Sequence, residues 1–179
     1  MNKSFILIAL ALLTSQAAAA ESDEGGPMVI EHGGRSVAFT EDLPRERTGY
    51  DSPWHFSHAI RAGDFVYISG VIVSARPDET LPMSRERFRE RTEEVFDRIQ
   101  KALESADASL DGMVKINTFH VLDGRTTDLR IDEQALIIAE TKAKYAVEPH
   151  PAWTAVGTSG LFAPRGIVEI ELVVYAPVD

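Results

Sequence analysis

The stretch "EPHPAWTAVGTSGLFAPRGIVEIELVVYA", Glu148 to Ala176, decides the fold. Its two apolar runs, Trp153–Val156 and Ile167–Tyr175, are bounded by Pro and Gly and predict two strands joined by a loop. In the second run Ile167, Glu169, Glu171, Val173 and Tyr175 alternate with Val168, Ile170, Leu172 and Val174. The two sets therefore project to opposite faces of a sheet. One face is wholly aliphatic and has to be covered. Carboxylates at i and i+2 on the other fit either a solvated side or a polar site or subunit interface lying against it.

Upstream of this stretch, Pro149 disfavours helix at Glu148 and ends a helix expected from about Leu129 to Ala146. Its expected buried stripe is Leu129, Ala135, Leu136, Ala139 and Ala143. Before it, "MVKINTFHVL" alternates as a strand, with Val114, Ile116, Thr118 and His120 opposing Lys115, Asn117, Phe119 and Val121. A longer helix runs from an N-cap at Ser84 to about Ala106. Phe88, Thr92, Val95, Phe96, Ile99, Leu103 and Ala106 recur along it at helical spacing and form one apolar stripe.

Earlier still, Phe56–Arg61 and Phe65–Ser69 read as two strands around an Ala62-Gly63-Asp64 turn. Gly70 then interrupts an apolar run, which predicts a bulge or a close backbone approach. The predicted order is β-β-α-β-α-β-β, an α+β fold with two helices on one face of a mixed, mostly antiparallel sheet. The uncovered face carries Phe, Val and Tyr beside the carboxylates, which predicts burial by a partner subunit.

Residues 21–49 are polar and Gly-rich and read as an N-terminal extension with one short strand, Ser36–Thr40. The start, "MNKSFILIALALLTSQAAAA", combines Lys3, an apolar run from Phe5 to Leu13 and small residues from Ala17 to Ala20. That layout is a secretory signal peptide, residues 1–20, and predicts a periplasmic or secreted protein. The apolar run is shorter than the roughly 20 residues a spanning helix needs, so no membrane partner is expected after cleavage.

The chain has no Cys, which excludes thiol nucleophiles, thiolate metal sites and disulfides. Its formal charge is −10, and removal of Lys3 with the leader takes it to −11. That charge repels phosphates, and no basic stripe with aromatics offsets it, so nucleic acid is not an expected partner. His55 and His58, at i and i+3 on an extended segment, point to different faces and lack a companion carboxylate motif, so no metal site is expected. Lys115 is the only strand lysine of the domain and has no phosphate cradle, so no cofactor is expected.

The segments "FSHAIRAGDFVYISGVI", "TEEVFDRIQKALESADASLDGMVKINTFHVLD", "HPAW" and "GIVEIELVVYA", in this order and spacing, resemble the Rid family, also called YjgF/YER057c/UK114. The resemblance assigns residues 50–179 to one Rid-like domain and implies a chorismate-mutase-like fold. It also implies a homotrimer with ligand clefts between subunits. The activity it implies is hydrolysis of 2-imino acids to 2-keto acids and ammonia, as in 2-iminobutanoate/2-iminopropanoate deaminases. An arginine after "PA" would clamp the substrate carboxylate, and a last-strand glutamate would position water.

Here Glu169 falls on that glutamate and Gly70 on the glycine of an "SGQ"-like turn. Phe56 stands where a cleft-lining tyrosine is usual, Trp153 holds the arginine's place, and Ala139 replaces an asparagine common on the second helix. The ligand-binding set the resemblance implies is Trp153, Phe56, Gly70 and Glu169, with Glu169 the one catalytic candidate. Without the arginine, the expectation is a divergent member that binds a small organic ligand in its clefts without imine deaminase chemistry. The alternative is an imine or enamine hydrolase that uses Glu169 as its base. Trp153 reads either as a plug of the cleft or as a stacking wall within it.

Overall fold

The computed structural model describes residues 28–178. The predicted signal peptide lies outside the described residues. Nine strand and helix segments follow in chain order: β1 Met28–His32, β2 Arg35–Phe39, β3 Ala59–Ala62, β4 Phe65–Ser74, α1 Arg85–Glu104, β5 Met113–Val121, α2 Ile131–Lys142, β6 Ala152–Thr158 and β7 Gly166–Tyr175. They build one seven-stranded sheet of order β1-β2-β3-β4-β7-β5-β6. Every neighbouring pair is antiparallel except β5 and β6, which run parallel. The predicted α+β class and the element order of the domain are what the structure has.

β7 lies between β4 and β5, and its alternation orients the whole sheet. Val168, Ile170, Leu172 and Val174 are buried in one core cluster with Phe88, Phe96, Ile99 and Leu103 of α1. Full burial of one such side chain is worth roughly 1.5–3 kcal/mol, so this layer is the dominant stabilising contact. The Ser84 hydroxyl accepts the Arg87 amide at 3.3 Å and caps α1. At the far end, the Arg61 guanidinium donates to the carbonyls of Ala106, Asp107 and Ala176, tying the end of α1 to the end of β7. The predicted bulge is at Ser69-Gly70, where the β4–β7 register shifts between Ile68 and Val71.

Two expectations need correction. The 21–49 segment carries not one strand but a hairpin, β1 and β2, which extends the sheet beyond β3. Its turn, Gly33-Gly34, has φ of +58° and +72°, the left-handed pair that a two-residue hairpin turn requires. The second correction is the buried face of α2. Leu136 is 54% exposed, whereas Gln134, Ile137, Ile138 and Thr141 are fully covered. Two polar residues fit this face because each is satisfied: Gln134 bonds Leu129 O and His120, and Thr141 bonds Ile137 O.

No helix among the described residues is long and apolar enough to cross a membrane. The α2 assignment has a direct test. Ile137→Ala should lower the unfolding free energy in urea by about 2–5 kcal/mol, and Leu136→Ala should stay within about 0.5 kcal/mol of wild type.

Candidate functional site

The sheet face opposite the helices carries the predicted site glutamate. Across four strands the register aligns Ile72 of β4, Glu169 of β7, Phe119 of β5 and Val156 of β6 in one row. Glu169 is therefore a carboxylate set among apolar side chains. One row further on, Glu171 faces Asn117, whose amide donates to its carboxylate at 2.6 Å. Burial pushes the Glu169 carboxyl above the ordinary glutamate value, and the Glu171 carboxylate adds to the rise.

Gly70 lies directly under this carboxylate: a Cβ there would sit 1.8 Å from Glu169 Oε1. Space for the glutamate, not a left-handed backbone, is what position 70 supplies. The structure thus brings Gly70 and Glu169 together. Phe56 belongs to the loop that precedes β3, and that loop is bonded to the same part of β4. Ser69 N–H donates to His58 O and Ser69 Oγ to Ser57 O. The Phe56 ring itself lies over Gly49.

Trp153 is elsewhere. Its register partner on β5 is Ile116, on the helix face, three residues from Phe119, the partner of Glu169. Within one chain Trp153 and Glu169 project from opposite faces of the sheet. Trp153 closes a chain of hydrogen bonds. Its Nε1–H donates to Thr118 Oγ1 at 3.0 Å, and Thr118 Oγ1 lies 2.9 Å from His120 Nε2. His120 Nδ1 lies 2.9 Å from Gln134 Oε1, and Gln134 Nε2 donates to Leu129 O at 2.8 Å.

Because Gln134 Oε1 only accepts, His120 Nδ1 carries the proton; in the neutral ring Nε2 then accepts the Thr118 hydroxyl. Lys142 Nζ stands 5.5 Å from the indole centroid, covering the ring from α2. This network escapes a reading of the sequence because its members come from three elements, although an inward Thr118-x-His120 pair was its visible trace.

Arg76, just beyond β4, and Arg165, just before β7, are engaged on the helix side. Arg76 pairs with Glu94, and Arg165 donates to Glu79 O. The Arg91 and Arg87 guanidinium groups hold the Glu79 carboxyl at about 2. No described Lys, Arg or His counts among the causes of the Glu169 shift. Among the described residues no group of three or more His, Asp and Glu could hold a metal ion.

Comparison with known proteins fits this architecture. The family model described as Endoribonuclease L-PSP matches residues 50–176. The chain belongs to this family, the YjgF/YER057c/UK114 or Rid family. The RutC family protein YjgH of Escherichia coli is 27% identical over 125 residues, covering 70% of this chain and 87% of that one. The crystal structure of RidA from the Antarctic bacterium Psychrobacter is 32% identical with a TM-score of 0.50, covering 67% of this chain and 87% of that one. The family member Rv2704 of Mycobacterium tuberculosis shares the fold at a TM-score of 0.56 and 22% identity, over 79% of this chain and 99% of that one.

The His120 network makes stability depend on pH. Burial pushes the His120 imidazole below its ordinary 6.5, so the unfolded chain takes up the proton first as pH falls. Its contribution is complete above 6.5 and is lost as pH drops through that value toward the folded one. His58 shifts the same way and Glu169 the opposite way, so the comparison is with a variant. His120→Gln should cost about 1–3 kcal/mol near pH 8 and flatten the fall in stability between pH 7 and 5, measured by urea unfolding.

Proposed function

We propose that this chain is an exported, homotrimeric member of the Rid family that binds a small organic ligand in clefts between subunits, without 2-imino acid deaminase chemistry. One observation carries the reading. Glu169 stands in an apolar row with no cation beside it among the described residues, while the place of the clamping arginine is filled by Trp153, which is bonded into the opposite face. A substrate carboxylate about 4 Å from Glu169 would meet a repulsion of ~4 kcal/mol at an effective dielectric of 20. That is close to a thousandfold in affinity.

The trimer is supported by what the open face leaves uncovered. Phe65 and Tyr175 pack 5.4 Å apart there, and Tyr67 and Val156 are also exposed. Export is supported by the tripartite layout of residues 1–20. The charge of −10 supports leaving nucleic acid outside the reading, although the family model is described as an endoribonuclease.

A second reading is favoured by the raised Glu169 carboxyl, since a carboxylate in an apolar setting is a competent general base. On that reading the protein hydrolyses an imine or enamine that carries no carboxylate.

The decisive assay follows ammonia release from 2-iminopropanoate generated by an amino-acid oxidase. Wild type should be no faster than the uncatalysed reaction. Robust turnover that disappears in Glu169→Gln would overturn the non-deaminase reading. The secreted protein should begin near Glu21 by mass spectrometry, and light scattering should give three times its subunit mass. A stable monomer or an intact Met1 form would remove the corresponding part of the proposal.

A further inference from the structure

We propose that the Glu169 site takes an organic cation, a protonated or quaternary amine on an apolar or aromatic body, and excludes carboxylates. The inference rests on reading Glu169 as part of a ligand site and adds the charge class of what enters it. Two chain segments converge on the Ser69–Ile72 part of β4. The loop before β3 is held there by the bonds from Ser69 to Ser57 O and His58 O, and it carries Trp54 and Phe56.

The β6–β7 loop arrives from the other side. A Cβ at Gly166 would meet Ile72 Cγ2 at 3.0 Å and Leu161 Cδ1 at 3.1 Å, so Leu161 and Ile72, the register partner of Glu169, both border Gly166. Phe162 follows Leu161 and meets Trp54 edge to face, with ring centroids 4.9 Å apart. Both rings stay open to solvent, Trp54 at 65% and Phe162 at 77% exposed.

A carboxylate with no described counter-ion, and two uncovered aromatic rings on the loops that flank its β4 neighbours, together make the chemistry that receives an organic cation. The carboxylate supplies the opposite charge, and the ring faces attract a cation and cover its apolar body. Among the described residues of the same chain, no Lys, Arg or His contributes to the Glu169 environment. Lys115 is on the open face but two register rows beyond Glu169, roughly 13 Å along the strand, and donates to Thr154 Oγ1. Arg98 donates to Ile72 O at 3.3 Å, and its electrostatic neighbours are Glu94 and Arg91. Glu171 adds a second negative charge on the same strand. A ligand carboxylate would thus enter against two like charges, and an ammonium would be drawn by both.

The test is calorimetric titration of the mature full chain with three probes of one shape: phenethylammonium, 2-phenylethanol and 3-phenylpropanoate. Phenethylammonium should bind tightest and 3-phenylpropanoate not measurably. Glu169→Gln should weaken phenethylammonium about tenfold or more and leave 2-phenylethanol unchanged. Phe162→Ala, a change at an exposed side chain that leaves the core intact, should weaken both.

If 3-phenylpropanoate binds as well as the amine, or the amine is indifferent to Glu169→Gln while Phe162→Ala still weakens it, the charge class is wrong and the ligand site stands. If none of the three probes binds, the cation inference and the ligand-site reading fall together.

Discussion

The burial of one face of β7 is the constraint on which the rest of this molecule depends. Val168, Ile170, Leu172 and Val174 can leave water only if a helix lies across them, and α1 supplies the matching Phe88, Phe96, Ile99 and Leu103. Because strand side chains alternate, that commitment fixes where Glu169 and Glu171 point. A slip of one residue would drive two carboxylates into the core, at a cost no surface contact could offset. The position of the candidate site is a consequence of packing on the other side of the sheet.

β5 transmits that arrangement to the sheet edge. Its inward Ile116, Thr118 and His120 join the core, and its outward Asn117 and Phe119 flank the two glutamates. The parallel pairing of β6 with β5 then places Trp153 on the inward side, where its indole N–H completes the bonds through Thr118 and His120 to Gln134. Every polar atom named in that chain has a partner, so it holds α2 in register against the sheet and costs little to bury. Within this chain the Trp153 ring packs against the helix layer and is covered by Lys142.

The electrostatics of the open face differ from what the family resemblance implies for an imino acid. An anionic substrate needs a cation at its carboxylate, and here burial and a second carboxylate, with no described cation, act on Glu169. Arg87, Arg91 and Arg76 are engaged on the helix side, where Arg87 and Arg91 hold Glu79 and Arg76 holds Glu94. Family membership therefore accounts for the scaffold, while on the proposed reading the charge at Glu169 sets what this chain admits.

Sequence alone determined the order of the elements from β3 onward, though β3 begins at Ala59 rather than Phe56, together with the α1 stripe, the bulge at Gly70 and the two-faced character of β7, because each is written locally in period-2 or period-3.6 alternation or in a glycine. It also determined which residues occupy the family's positions. The β1–β2 hairpin was legible in Gly33-Gly34 flanked by "MVIEH" and "RSVAF", a turn signal masked by polar composition. The buried face of α2 was not legible, since Gln134 and Thr141 are buried through bonds to groups that only folding brings near. The separation of Trp153 from Glu169, and the meeting of Trp54 with Phe162, were decided by tertiary structure alone. Both depend on which strands become neighbours, and strand order is set by the packing of the whole domain rather than by any stretch of its sequence.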